Sequence, residues 1–284
     1  MIDLHTHSTE SDGTLSPTEL VSRAAKSGIK TLALTDHDCV SGLEEARAQA
    51  LLEGIQLIDG IELSVLWSSH TIHIVGLGID PNNQALQSLI DQALEFRAYR
   101  AQEISKRLEK VGIENAYEGA KACAKSKLLS RAHFAQFLVE IGHAKDLKQV
   151  FKRYMVPGKP GYVVGEWVDF KMGIDVIKQA GGVAVVAHPA RYKMTRSKLR
   201  RFFQDFKDAG GEALEVVSGS HSRQDAMNMT THVLDFDLAA SVGSDYHGPE
   251  KQWIQLGRMA SLPQGCNPVW ELPNLKEKMQ HPVC

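Results

Sequence analysis

Met1-Ile2-Asp3-Leu4-His5-Thr6-His7-Ser8 opens the chain, an apolar lead-in that delivers two histidines two residues apart. On a strand, residues i and i+2 face the same way, so His5 and His7 aim both imidazoles to one side. Two imidazoles converging at a strand end make half of a divalent-metal site. With 12 His in 284 residues, about half of one His-x-His pair is expected by chance. The pair therefore gains its meaning from what the other strands deliver.

The chain is long enough for one large domain or a domain with an insertion. Hydrophobic content of 43% and charged content of 23% are ordinary for a globular protein. No apolar run approaches the roughly 20 residues of a membrane span, and no charged-then-apolar leader precedes Asp3. Cys39, Cys123, Cys266 and Cys284 are scattered, without a Cys-x-x-Cys pair. These features point to a cytoplasmic protein with no membrane partner and no disulfide framework. A net charge of −2 gives no reason to expect nucleic acid, yet residues 84–160 hold 14 Lys/Arg against 8 Asp/Glu. A basic module on an acidic body suits a body that binds metal and a module that meets a phosphorylated ligand; a solvated helical surface would show the same charge.

Outward from the first strand, β-rich runs alternate with helical patterns. Strands are expected at 2–5, 31–35, 56–62 and 71–77, with helices at 17–27 and 41–53. Ser16, Pro17 and Glu19 supply the start signals of the first helix, and Gly28 its end. From 170 onward the alternation resumes, with helices at 170–180, 197–209 and 222–236 and strands at 183–187, 213–217 and 238–242. Such alternation reads as βαβ units around a parallel sheet, and pattern alone does not choose between a barrel and an open sheet. Residues 84–154 show helical periodicity instead (Leu86, Leu89, Ile90, Ala93, then Ile104, Leu108, Val111), closed by the turn at 157–161 and a β-like stretch at 162–164. The organisation expected is a body of residues 1–80 and 160–284 carrying an all-helical insertion at 81–159.

Each strand end delivers a ligand type: His5 and His7 with Asp12 in the next loop, Thr35-Asp36-His37-Asp38, Glu62, His73, His188-Pro189, and Gly243-Ser244-Asp245-Tyr246-His247. In α/β folds this is the end of the sheet where catalytic groups gather. Mixed imidazole and carboxylate donors without thiolate suit Mn²⁺, Zn²⁺ or Fe²⁺. Asp36 and Asp38 read as supports for ligands or as loop residues.

The constellation resembles the polymerase and histidinol phosphatase (PHP) superfamily. That resemblance implies a distorted (βα)₇ barrel holding two or three divalent ions, Mn²⁺ foremost. It implies one ion on His5, His7, Glu62 and Asp245, a second on Glu62, His73 and His188, and a third on Asp12, His37 and His247. Catalysis would rest on Glu62, Asp245 and His188, as hydrolysis of a phosphoester by water activated at the cluster.

The runs Arg131-x-His133-Phe-Ala-x-Phe-Leu-Val, Phe151-Lys-x-Tyr154, Gly158-Lys159-x-Gly161-Tyr-Val and Gly243-Ser-Asp-x-His247 further resemble the subfamily of RNase AM type, the 3′,5′-nucleotide bisphosphate phosphatases. The resemblance implies a 5′→3′ exoribonuclease on short 5′-phosphorylated RNA, including ribosomal RNA 5′ ends. It also implies hydrolysis of adenosine 3′,5′-bisphosphate to AMP and phosphate. Both cut the bond between the 3′ oxygen and phosphorus while the insertion, capping the site, grips the 5′-phosphate. Arg131, His133, Lys159, Arg191 and His221 are the candidate substrate contacts, since a guanidinium forks onto phosphate and an ammonium meets it as a point charge. His221 is also a candidate leaving-group acid. No obligatory protein partner is implied.

Three rivals are weighed against this. A PHP phosphatase of another phosphomonoester, such as histidinol phosphate, would not need the basic insertion. An amidohydrolase usually ends on a lone Asp, whereas His247 follows Asp245 here. A catalytically dead module would have lost ligands, and none of the nine is missing.

Overall fold

A computed structural model describes residues 1–126, 128–250 and 253–280. Strand β1 (Ile2–Asp3) leads to α1 (Pro17–Lys26), β2 (Thr31–Leu34), α2 (Leu43–Glu53), β3 (Gln56–Trp67) and β4 (His70–Leu77). Helices α3 (Gln84–Glu109), α4 (Ala116–Cys123), α5 (Arg131–Glu140) and α6 (Leu147–Val150) follow, and a wide helical turn at Phe151–Met155 continues α6. The chain then returns through β5 (Val168–Asp169), α7 (Phe170–Gln179), β6 (Val183–Val186), α8 (Arg196–Asp208), β7 (Ala213–Ser218), α9 (Arg223–Asp235), β8 (Ala239–Gly243) and α10 (Pro273–Gln280). Local chemistry explains the starts. The Ser16 hydroxyl accepts from Glu19 N, the Glu19 carboxylate accepts from Ser16 N, and Pro17 fills the first helical position. Ser222 and Asp225 repeat the reciprocal cap on α9.

Seven strands run in the order β1-β2-β3-β4-β6-β7-β8, with β5 added beside β3. The ring closes where the first strand meets the last. Leu4 N donates to Val242 O at 3.0 Å, Asp245 N donates to His5 O at 2.9 Å, and Thr6 bridges Tyr246 in parallel. Closure decides for a barrel over an open sheet, with a helical insertion between β4 and β5.

A uniformly parallel sheet was the expectation, and the structure departs from it. β3 extends past Glu62 to Trp67 and turns through Ser68 and Ser69, both at positive φ (44° and 63°), directly into β4. A two-residue connection can join only antiparallel neighbours, so β4 runs antiparallel to both β3 and β6. That inversion is the distortion of the barrel. The β-like stretch at 162–164 forms no strand; Val168 and Asp169 pair instead with Val65 and Leu66.

The period-2 alternation puts two chemistries on the inner face. Ala33, Ile58, Val75, Leu77, Val183, Val185, Ala213 and Ala239 fill the lower interior, where Val269 and Leu275 plug it. On the same strand faces, two residues further toward the other end, stand Glu62 beyond Gly60, His73 beyond Val75 and Glu215 beyond Ala213. The outer positions pack under the helices as one large core, to which Leu86, Leu89 and Ile90 of α3 also belong. The second half of α3 instead joins α4, α5 and Val163 in a separate core around Leu108, Phe134 and Leu138. Cys39, Cys123 and Cys266 are free thiols, and Cys284 lies outside the described residues. No helix among the described residues is long and apolar enough to cross a membrane.

Candidate metal centre

Glu62 is the hub. It is fully buried, on the inner face of β3, and five imidazoles surround its carboxylate. His5 Nε2 and His7 Nε2 lie 3.2 Å from Oε2, and His37 Nδ1 lies 2.9 Å from it. His73 Nδ1 and His188 Nε2 lie 2.9 and 3.1 Å from Oε1. Asp245 Oδ1 stands 3.4 Å from His7 Nε2, and Asp12 Oδ1 3.2 Å from His247 Nε2. His73 belongs here because β4 is inverted: its early residues, not its last, lie at the ligand end of the barrel.

The chain bends sharply to place these groups. His188 and Asp245 both adopt left-handed backbone, at φ 33° and 56°. Non-glycine residues hold such conformations at a cost that the surroundings must impose, and they cluster at functional sites. Gly243 makes room beside them, since a Cβ there would strike His5 Cβ and meet Glu215 Oε1 at 2.6 Å.

Burial alone would discharge every group in this cluster, yet the charges compensate one another. Burial disfavours a charged His7, but Asp245 and Glu62 outweigh it and raise its pKa to about 9. The same contest holds His5 well above the imidazole range, through Glu215 and Glu62. Against their own burial, Glu62, Asp245 and Asp12 are held well below the usual carboxylate range by the surrounding histidines. Burial wins at His37, whose pKa falls to about 4 despite Glu62 and Asp12.

The donor set fits divalent cations. His5 Nε2 and His7 Nε2 face each other at 3.1 Å, close enough for both to serve one ion once deprotonated. Glu62 Oε2, Asp12 Oδ1, His37 Nδ1 and His188 Nδ1 are buried without a hydrogen-bond partner among the described residues. Donor atoms of the cluster, His188 apart, converge in three overlapping groups, each with all donor atoms within 4.8 Å of one another: His5, His7, Glu62 and Asp245; His7, Asp12, His37 and His247; and His37, Glu62 and His73. The first is the set expected from sequence. In the others His7 joins Asp12, His37 and His247, and His37 rather than His188 stands with Glu62 and His73.

A PHP domain profile matches residues 3–217 of the chain. The chain belongs to the PHP domain family. It is 46% identical over 270 residues to a 3′,5′-nucleoside bisphosphate phosphatase from Chromobacterium violaceum, covering 95% of each protein. It is 45% identical over 269 residues to a 5′-3′ exoribonuclease from Haemophilus influenzae, covering 95% of this chain and 97% of that protein. A solved structure of an amidohydrolase from Chromobacterium violaceum, with bound sulfate and no metal, superposes with a TM-score of 0.91 at 44% identity, over 98% of this chain and 96% of that one.

Three carboxylates outside the donor sets hold the centre's imidazoles and loops, and of these Glu215 was not singled out from sequence. Glu215 is buried, its Oε1 lies 2.6 Å from His5 Nδ1, and its Oε2 accepts from His188 N at 2.5 Å. It thus orients two imidazoles at once, a role the isolated run Leu214-Glu215-Val216 does not betray except as a charge amid apolar neighbours. Asp36 accepts from Ser8 N and from the Ser8 and Ser11 hydroxyls, fixing the loop after His7. Asp38 accepts from Ser64 N at 2.7 Å and from Arg97 Nη2 at 2.6 Å. Both are supports, as expected. His70 sits outside the centre, within 3.1 Å of Lys198 Nζ.

The candidate substrate contacts are distributed unevenly. Arg131 opens α5 and lies over the Phe151 ring at 5.9 Å; burial lowers its pKa, with Arg97 adding to the effect and Tyr162 opposing it. Arg100, not singled out from sequence, is its neighbour: burial first, then Arg131 and Arg97, pull its pKa down to about 9, and its Nε has no partner among the described residues. The i, i+3 spacing of Arg97 and Arg100 on α3 was the legible signal. His133 caps its own helix, Nδ1 accepting from Ser130 N at 3.1 Å. Lys159 is exposed on the turn. Arg191 donates to Asp245 Oδ2 at 2.6 Å, at the mouth of the centre. His221 Nδ1 lies 3.1 Å from Val216 O, and its Nε2 is buried without a hydrogen-bond partner among the described residues.

Proposed function

We propose that the chain is a metal-dependent phosphoesterase that cleaves the 3′-O–P bond of 5′-phosphorylated nucleotides. On short RNA it would release nucleoside 5′-monophosphates in the 5′→3′ direction, as in maturation of ribosomal RNA 5′ ends. On a nucleoside 3′,5′-bisphosphate it would release phosphate. The observation that carries this reading is the pairing of two sites: a Glu62-centred cluster of imidazoles and carboxylates, and a half-buried arginine cluster in the insertion. The names of the 46% and 45% identical relatives support the substrate class.

His5, His7, Glu62 and Asp245 would hold one ion, and Asp12, His37, His73, His188 and His247 would complete the places for others, with Glu62 bridging. Mn²⁺ is the metal we favour, and Zn²⁺ or Fe²⁺ would suit the same donors. When bound, the ions would lower the pKa of a water and neutralise charge on the phosphoryl group. The residues do the rest. Arg100 and Arg131 form no ion pair with a carboxylate among the described residues and repel each other, so a terminal phosphate would relieve that repulsion and receive forked hydrogen bonds. Arg97, pinned by Asp38, anchors α3 to the barrel, and the helical segment would serve as a cap over the centre. The bond from phosphorus to the 3′ oxygen breaks as water adds to phosphorus, and the departing sugar oxygen takes a proton. The residual RNA keeps a 5′-phosphate and can be bound again by the same arginines.

The test is to incubate the Mn²⁺-loaded protein with a short 5′-phosphorylated RNA, its 5′-hydroxyl counterpart and adenosine 3′,5′-bisphosphate. Stepwise nucleoside 5′-monophosphates from the first, AMP and phosphate from the third, and little from the second are expected. Activity on histidinol phosphate alone would overturn the substrate while keeping the metal centre.

A further inference from the structure

A cavity of about 880 Å³ opens beside the ends of β7 and β8. It lies between the loop after β7, the start of α9 and the segment 253–263, and Ser244, the neighbour of Asp245, forms part of its wall. Two buried polar atoms in its lining lack partners among the described residues. They are the hydroxyl of Ser218, a residue only 5% exposed, and Nε2 of His221, whose Nδ1–H is committed to Val216 O. The rim carries large apolar groups facing solvent: Trp253 is 77% exposed and Met227 55%. Arg223 and Arg258 stand at the same rim without a carboxylate partner among the described residues.

We infer that this cavity receives the nucleobase on the 3′ side of the scissile phosphate, the first base of the departing RNA. The inference rests on the phosphoesterase reading above. Its direction follows from barrel order. Arg97 is held by Asp38 after β2 and Ser64 on β3, so the arginine cluster meets the barrel at β2–β3. The cavity lies at β7–β8. The centre, built on Glu62 from β3 and Asp245 after β8, stands between. A phosphodiester whose 5′-phosphate reaches Arg100 and Arg131 must therefore run its 3′ continuation toward β7–β8. The chemistry suits that occupant. An exposed indole and a thioether offer a stacking platform tolerant of any base, the acceptor Nε2 and the Ser218 hydroxyl match the polar edge of a base, and the two arginines suit the next phosphate. A nucleoside 3′,5′-bisphosphate has nothing to place there.

The experiment compares KM for a 5′-phosphorylated dinucleotide, the same dinucleotide with an abasic second residue, and adenosine 3′,5′-bisphosphate. Base–aromatic stacking of the usual size predicts that Trp253→Ala raises KM about tenfold for the full dinucleotide. The abasic substrate and the bisphosphate should change less than twofold, and Trp253→Phe should restore the dinucleotide. An equal loss on dinucleotide and bisphosphate, or no loss on either, would overturn the assignment. Should wild type cleave none of the three, the phosphoesterase reading fails separately. The pocket is then judged by tryptophan fluorescence with a phosphorothioate-linked dinucleotide. Quenching that disappears in Trp253→Phe keeps it as a base site, and no quenching rejects it.

Discussion

Glu215 touches His5 and the backbone of His188, and its influence on metal binding should be read separately from that of the ligands. Glu215→Gln keeps the shape but removes the charge that orients the His5 ring. Loss of such a support typically lowers metal affinity about 10- to 100-fold, and a Mn²⁺ titration should show this while the fold persists. Unchanged affinity would mean that packing alone holds the imidazole. Arg131→Ala should raise KM for 5′-phosphorylated RNA at least tenfold, by loss of a charged hydrogen bond of about 1.5–3 kcal/mol. It should leave the slow rate on 5′-hydroxyl RNA unchanged. Equal rates of the variant and wild type on both would remove Arg131 from phosphate recognition.

Titration at this scale has a definite sign. His7, raised to about 9 from the usual 6.5, stabilises the metal-free fold fully below 6.5, and that contribution is lost as pH climbs through 9. His37, pushed down to about 4, acts oppositely: as pH falls below 6.5 the unfolded chain binds its proton first, and stability drops. The depressed carboxylates of Glu62, Asp245 and Asp12 add to the loss in acid. Thermal unfolding of the chelated protein should therefore peak near pH 6.5 and fall on both sides. A flat profile from pH 6.5 to 9 would contradict the charge assignment. Adding Mn²⁺ at pH 7.5 should release protons, because bound imidazoles must be neutral.

At the scale of elements, the tight Ser68-Ser69 hairpin is what brings His73 into the centre, by inverting β4. The meeting of β7, β8 and the first strand is as tightly specified. Gly243→Ala would push a methyl into His5 and Glu215, with no outlet because both are buried. Overpacking of this kind costs about 1–3 kcal/mol. A lowered Tm together with weakened Mn²⁺ binding is expected, and wild-type behaviour in both would show that the strands can part at no cost.

For the whole molecule, two packing units divide the labour: a barrel with its helical coat, and the helical core around Leu108, Phe134 and Leu138. Leu138→Ala, at a position with no exposure, should destabilise by about 2–5 kcal/mol. Hydrogen exchange should rise within residues 101–163 and not in the barrel strands, and metal affinity should hold. Uniform loss of protection would instead make the two units one cooperative body.

Local patterns carried much of this. The i, i+2 histidine pairs, the helix caps at Ser16 and the alternation of strand and helix depend on neighbours a few residues apart, so the sequence alone determined the α/β class, the helical segment and the residue types that gather at the strand ends. Closure of β8 onto β1, the inversion of β4, the hub position of Glu62 among five imidazoles, and the orienting role of Glu215 were decided only by the tertiary structure. Each joins residues far apart in the chain: His5 and Glu215 are 210 positions apart. No local periodicity records which distant donor will face a given imidazole, because that choice follows from strand order, register and the space glycines leave when the barrel closes.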